Sequence, residues 1–137
     1  MKTACRLFFL LGCLLAVGGC GGTDGPQTYD VSGKVTFDGT PLPQGEIAFR
    51  PTDGKGQSYG GQIENGKYAF ESIPGKMQVS ITASREVPGK FDEQNPGEKV
   101  PVVEQFIPAS YNEKTTLEAK VTESAGQNQF DFNLKGE

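Results

Sequence analysis

Tyr59-Gly60-Gly61-Gln62-Ile63-Glu64-Asn65-Gly66-Lys67-Tyr68-Ala69-Phe70-Glu71-Ser72-Ile73 carries the plainest structural instruction in this chain. Asn-Gly tolerates the positive φ angles of a type I′ turn, whose twist matches that of paired antiparallel strands. Residues 59–64 and 67–73 are therefore expected to pair as a hairpin. Glu64 and Lys67 then face each other across the turn, an opposite-charge pair of the kind that supports cross-strand contacts.

The same grammar extends in both directions. Before the hairpin, Val31, Gly33, Val35 and Phe37 alternate with Ser32, Lys34, Thr36 and Asp38, so one set faces a core and the other faces water. Asp38-Gly39 and Pro41-Leu42-Pro43 turn the chain toward a second strand around Ile47 and Phe49, which ends at Pro51. Residues 52–58 have loop composition. After the hairpin, Pro74-Gly75 leads into Met77, Val79, Ile81 and Ala83, again at period two. Pro88, Pro96, Pro101 and Pro108 rule out a continuous central strand in residues 87–112, although residues 100–107 have the character of a brief edge strand. Leu117, Ala119 and Val121, then Phe130, Phe132 and Leu134, form a final pair of strands joined through Ala125-Gly126-Gln127-Asn128. Seven short strands and no helical stripe predict an all-β, two-sheet antiparallel sandwich over residues 30–137.

The front of the chain obeys different rules. Lys2 and Arg6 precede an apolar run at 7–17, broken by Gly12 and followed by small residues, which is the order of a secretory signal. The run is about 11 residues long, against the roughly 20 that a membrane-spanning helix needs. The expected organisation is a signal peptide at 1–19, a flexible Gly-rich tether at 20–29, and the sandwich. Cys5, Cys13 and Cys20 are the only cysteines, so the body has no thiol for a disulfide or a metal site.

Val17-Gly18-Gly19-Cys20 resembles the lipobox of bacterial lipoproteins. The resemblance implies a diacylglyceryl group on the Cys20 thiol, cleavage just before it, and acylation of the new amine. Two or three acyl chains hold a protein on a bilayer durably where one does not. Cys13 competes less well, because its use would halve the apolar run and leave residues 14–17 exposed. Gly21, in place of an aspartate, resembles lipoproteins that pass to the outer membrane of diderm bacteria. In the body, Val31-Ser32-Gly33-Lys34-Val35-Thr36, Asp38-Gly39, Asn65-Gly66-Lys67-Tyr68 and Ile73-Pro74-Gly75-Lys76 resemble the carboxypeptidase regulatory-like, transthyretin-like domain found in small bacterial lipoproteins. Ile107-Pro108-Ala109-Ser110-Tyr111-Asn112 and residues 128–134 fit the same group. This resemblance implies a prealbumin-type sandwich of Ig-like architecture with no established catalysis.

The residues present narrow the function further. There is no histidine, which removes the commonest general base and metal ligand, and with them Ser-His-Asp, Cys-His and zinc-protease sites. The chain is expected not to be an enzyme and to need no cofactor. Removal of the signal takes Lys2 and Arg6 away and lowers the net charge from −4 to −6, which disfavours nucleic acid as a partner. Asp24, Asp38, Asp53, Asp92, Glu93 and Glu98 are calcium-compatible oxygen donors in loops, but they lack the dense spacing of an EF-hand and are expected to be structural. An isopeptide between Lys34 and Asn133 is disfavoured, because alternation puts both on the wet face. Tyr59, Phe91, Phe106 and Tyr111 offer aromatic contact near loops, with Phe106 and Tyr111 expected to pin the 87–112 segment down. The expected function is a lipid-anchored, cell-envelope lipoprotein that meets an envelope protein or a glycan and the membrane through Cys20. The alternative is a small-molecule or calcium carrier at the loop end of the sandwich. Far-ultraviolet circular dichroism of the processed protein should show a β-dominated spectrum; a helix-dominated one would contradict the reading of residues 30–137.

Overall fold

Alternation in the sequence becomes alternation in burial. The computed structural model describes residues 25–136, apart from the side chain of Gln94. The strands are β1 (Tyr29–Phe37), β2 (Thr40–Pro41), β3 (Gln44–Pro51), β4 (Tyr59–Glu64), β5 (Lys67–Ser72), β6 (Gly75–Thr82), β7 (Ser84–Asn95), β8 (Glu98–Gln105), β9 (Glu118–Val121) and β10 (Phe132–Leu134). A single 3-10 turn at Ala109–Tyr111 is the one helical element among the described residues. The fold is all-β.

The Asn65-Gly66 turn sets the shape. Both residues have positive φ, 50° and 72°, and Glu64 pairs with Lys67 as expected. Beyond that pair β4 and β5 share no further ladder register, and the hydrogen-bonded path β10-β1-β5-β4-β3-β6-β9 curls back over its own inner face. Phe49 of β3 thereby meets Phe70 of β5 edge-on at 5.1 Å and Phe130 at 6.0 Å. Val31, Val35, Ile47, Ile63, Met77, Val79, Ile81, Val121 and Leu134 fill the space between them, all fully buried. Burial of such side chains contributes about 1.5–3 kcal/mol each.

The structure corrects the sequence-based expectation in four places. Ten strands form instead of seven, because the 38–43 corner adds β2 and the proline-rich segment adds a pair. The prolines do bar that segment from the main sheet, yet β7 and β8 pair with each other, with Pro88 in the irregularity between Glu86 and Phe91 and Pro101 opposite Phe91. The last two strands are not partners: β9 joins β6 and β10 joins β1, and the β1–β10 pairing is parallel. The body also begins at Tyr29, one residue inside the expected tether.

The parallel edge has an irregularity with a physical logic. Ser32 donates its N–H to Asn128 O (3.0 Å) and its carbonyl accepts from the Phe130 N–H (2.9 Å), so a regular parallel ladder would next send the Lys34 N–H to the Phe130 carbonyl. Instead the Asp131 carboxylate accepts from the Lys34 N–H (2.8 Å), and the Phe130 carbonyl turns inward to accept from the Tyr68 hydroxyl (2.7 Å). Gly33 leaves the room for that turn. A Cβ at Gly33 would lie 1.8 Å from the Phe130 oxygen and 2.8 Å from the Tyr68 oxygen. Gly33→Ala should therefore cost about 3 kcal/mol, at the upper end for an overpacked core. Urea denaturation checks this, and a loss below about 0.5 kcal/mol, the range of an ordinary surface substitution, would contradict the close approach.

Candidate functional site

The registers give the sheet two distinct ends. Tyr29, Pro51, Tyr59 and Gly75 lie at one end. Phe37, Gln44, the Asn65-Gly66 turn and Thr82 lie at the other. The chain enters the body at the first end, at Tyr29.

The second end carries an arm. As strands β7 and β8 pair only with each other, and none of the arm's described side chains is buried. Phe91 is 58% exposed and Val103 64%. Registers put Phe91 opposite Pro101 and Val103 opposite Glu86, so Phe91, Pro101 and Val103 share one face of the ribbon. A two-stranded hairpin is marginal by itself, so the arm's order rests on its base. There the Phe106 N–H donates to Ala83 O (3.1 Å), the Ala83 N–H donates to Gln105 Oε1 (3.0 Å), and the Phe106 ring sits edge-on to Phe37 at 5.4 Å. Arg85 lies over the Phe106 ring at 5.2 Å and pairs with Glu104 at 2.9 Å.

Of the four aromatics singled out in the sequence, Phe106 and Tyr111 act as pins. Phe106 anchors the arm, and the Tyr111 hydroxyl accepts from the Lys135 N–H at 3.2 Å. Beside Tyr111, Asn112 Nδ2 donates toward Ile81 O, Ile107 O and Pro108 O, holding residues 107–112 against β6. Tyr59 is half-buried at the opposite end. Phe91 is the one of the four that stays exposed.

The described loop acids are already occupied, Asp38 by the end of the chain and the others by their own turns. Asp38 Oδ1 accepts from the Gly136 N–H, Asp53 Oδ1 from the Lys55 N–H, and Asp92 Oδ1 from the Glu93 N–H. Glu93 Oε1 accepts from the Gly97 N–H, and Glu98 Oε2 from Asn95 Nδ2. No three of His, Cys, Asp and Glu gather into a metal-sized group among the described residues. Lys34 and Asn133 are both exposed, and the Asn133 amide oxygen accepts from the Thr36 hydroxyl at 2.7 Å. Cys20 and Asp24 lie outside the described residues, as does the signal segment 1–19.

A cleft that sequence reasoning missed lies on the outward surface of β1, β5 and β4. It has a volume of about 500 Å³ and is lined by Ser32, Lys34, Gln62, Glu64, Lys67 and Gln129, with Gly33, Tyr68 and Ala69 beneath. Lys34 and Lys67 face each other directly across the β1–β5 ladder. The pairing of β1 with β5 is a long-range fact that residue alternation alone does not contain.

Tyr68 separates this cleft from the core. Burial pushes its hydroxyl well above the ordinary phenol value, and the nearby Asp131 carboxylate adds to the shift. Folding thus favours the protonated phenol, which the Phe130 carbonyl needs as a donor. Stability from this group is fully present below about pH 10, the unfolded phenol's value, and declines as pH rises beyond it.

No family model matches this chain, and no curated protein matches it. Among solved structures, a crystal structure of a 9R-lipoxygenase from Cyanothece PCC8801 overlays with a TM-score of 0.40 at 16% identity, covering 80% of this chain and 16% of that one.

Tyr68→Phe should destabilise the body by about 1–3 kcal/mol, because it leaves a buried carbonyl unpaired. It should also flatten the decline of stability above pH 10. Chemical denaturation at stepped pH reads both effects, and an alkaline limb identical to that of the parent would contradict the assignment.

Proposed function

We propose that this chain is an exported, lipid-anchored protein of the cell envelope whose body is a non-catalytic β-sandwich module of transthyretin-like type. The signal at 1–19 is removed, Cys20 carries the lipid, and the short tether leads into β1. The observation that carries this reading is the opposite placement of entry and arm. Tyr29 enters at one end of the sheet, while the β7–β8 ribbon and its exposed Phe91 leave from the other. A body tethered through residues 21–28 holds its arm away from the bilayer, where an envelope protein or a glycan is met.

Several further features support the module. Ten residues separate β9 from β10, the two ends of the hydrogen-bonded path, so the curled sheet brings its edges close enough for a short link, as two facing layers require. Among the described residues no helix is long and apolar enough to cross a membrane. The absence of histidine from the whole chain speaks for a binding role over a hydrolytic one. The open cleft beside Lys34 and Lys67 favours a second reading, a module that takes a small ligand.

Detergent phase partition of membranes from producing cells tests the anchor. The parent protein should enter the detergent phase, and Cys20→Ala should move to the aqueous phase. Equal retention of both forms would contradict lipid attachment at Cys20.

A further inference from the structure

The body contains two places where lysines oppose each other across an antiparallel ladder, and they are treated differently. In the first, Lys76 faces Lys120 between β6 and β9, and Glu118 takes Lys76 in an ion pair at 2.9 Å. In the second, Lys34 faces Lys67 between β1 and β5, and neither belongs to an ion pair among the described residues. Directly opposed like charges repel, with Cβ atoms only about 5 Å apart. This pair, with Glu64 as the other cross-strand neighbour of Lys67, is also the one that lines the 500 Å³ cleft.

The remaining lining indicates what fits between them. Ser32, Gln62 and Gln129 supply hydroxyl and amide groups that both donate and accept, and Glu64 supplies an acceptor. Glu64 and Asp131 nearby, with a chain net charge of −4, oppose a polyanion. One anionic group surrounded by hydroxyls meets all of these conditions. The volume lies within the range of small-molecule sites, about 300–1,000 Å³.

We propose that the cleft binds an acidic saccharide residue, with its carboxylate between the Lys34 and Lys67 ammonium groups and its hydroxyls on Ser32, Gln62 and Gln129. The proposal rests on the module reading only in treating the cleft as a binding surface. It deepens the small-ligand reading and is independent of the lipid.

The test uses the processed protein extracted from membranes in nonionic detergent, titrated by calorimetry with glucuronate, glucose and inorganic phosphate. Glucuronate should bind, glucose should bind at least about tenfold more weakly, and phosphate should bind more weakly than glucuronate. Lys34→Gln and Lys67→Gln should each weaken glucuronate about tenfold, while Lys120→Gln should leave it unchanged. All three side chains are exposed, and thermal melts confirm that each variant is folded. Absence of glucuronate binding, equal affinity for glucose, phosphate binding as tight as glucuronate, or indifference to either cleft substitution would each overturn the proposal. A failed titration alongside Cys20-dependent partition would remove the ligand and leave the anchored module in place.

Discussion

A single redirected carbonyl organises this body. The chain's last segment runs parallel to β1, and at Phe130 its carbonyl leaves the ladder and turns into the core to meet the Tyr68 hydroxyl. Three residues make that turn tolerable. Gly33 leaves the space, Tyr68 satisfies the oxygen, and Asp131 gives its carboxylate to the Lys34 N–H that the carbonyl has abandoned. Every polar group displaced by the irregularity finds a partner, in keeping with the cost of burying one without. The consequence is closure: β10 is fastened to β1, Phe132 and Leu134 are delivered to the core, and Phe130 is brought within 6.0 Å of Phe49 from β3.

Closure also fixes where function can reside. With the interior filled by alternating side chains, the surfaces left for recognition are the outward faces and the ends. The cleft lies on the outward face of β1, β5 and β4, on the other side of the sheet from the core. The strand directions then separate the entry at Tyr29 from the arm at Ser84. The arm contributes little to the core, and its exposed Phe91 and Val103 are surface that the body does not use for its own stability.

Much of this was legible from residues alone. Asn65-Gly66 reads as a hairpin in the sequence and is one in the structure, with Glu64 opposite Lys67. The alternation at 31–37 and 77–83 predicts which side chains are buried, and Val31, Val35, Met77, Val79 and Ile81 all are. Local chemistry specifies turns and faces because both are determined within a few residues. Partnership between distant strands is not. Nothing near Lys34 announces Lys67, and nothing in the last strand announces that it runs parallel to the first. The proline-rich stretch misled for an instructive reason: proline excludes a strand from a two-sided ladder, but it leaves a detached ribbon possible when its missing N–H faces solvent or a bulge. Asn95-Pro96-Gly97-Glu98, with Glu93 opposite Lys99, was the turn signal available there.

Amide hydrogen exchange tests the closure most directly. If the redirected carbonyl and its partners hold the body together, the Ser32 and Phe130 amides, bonded to Asn128 O and Ser32 O, exchange only through global unfolding. They should then match the slowest amides of β3 and β6, while amides of β7 and β8 exchange far faster by local opening. Exchange at Ser32 and Phe130 as rapid as in the arm would show that the last segment frays independently, and the account of closure would fall with it.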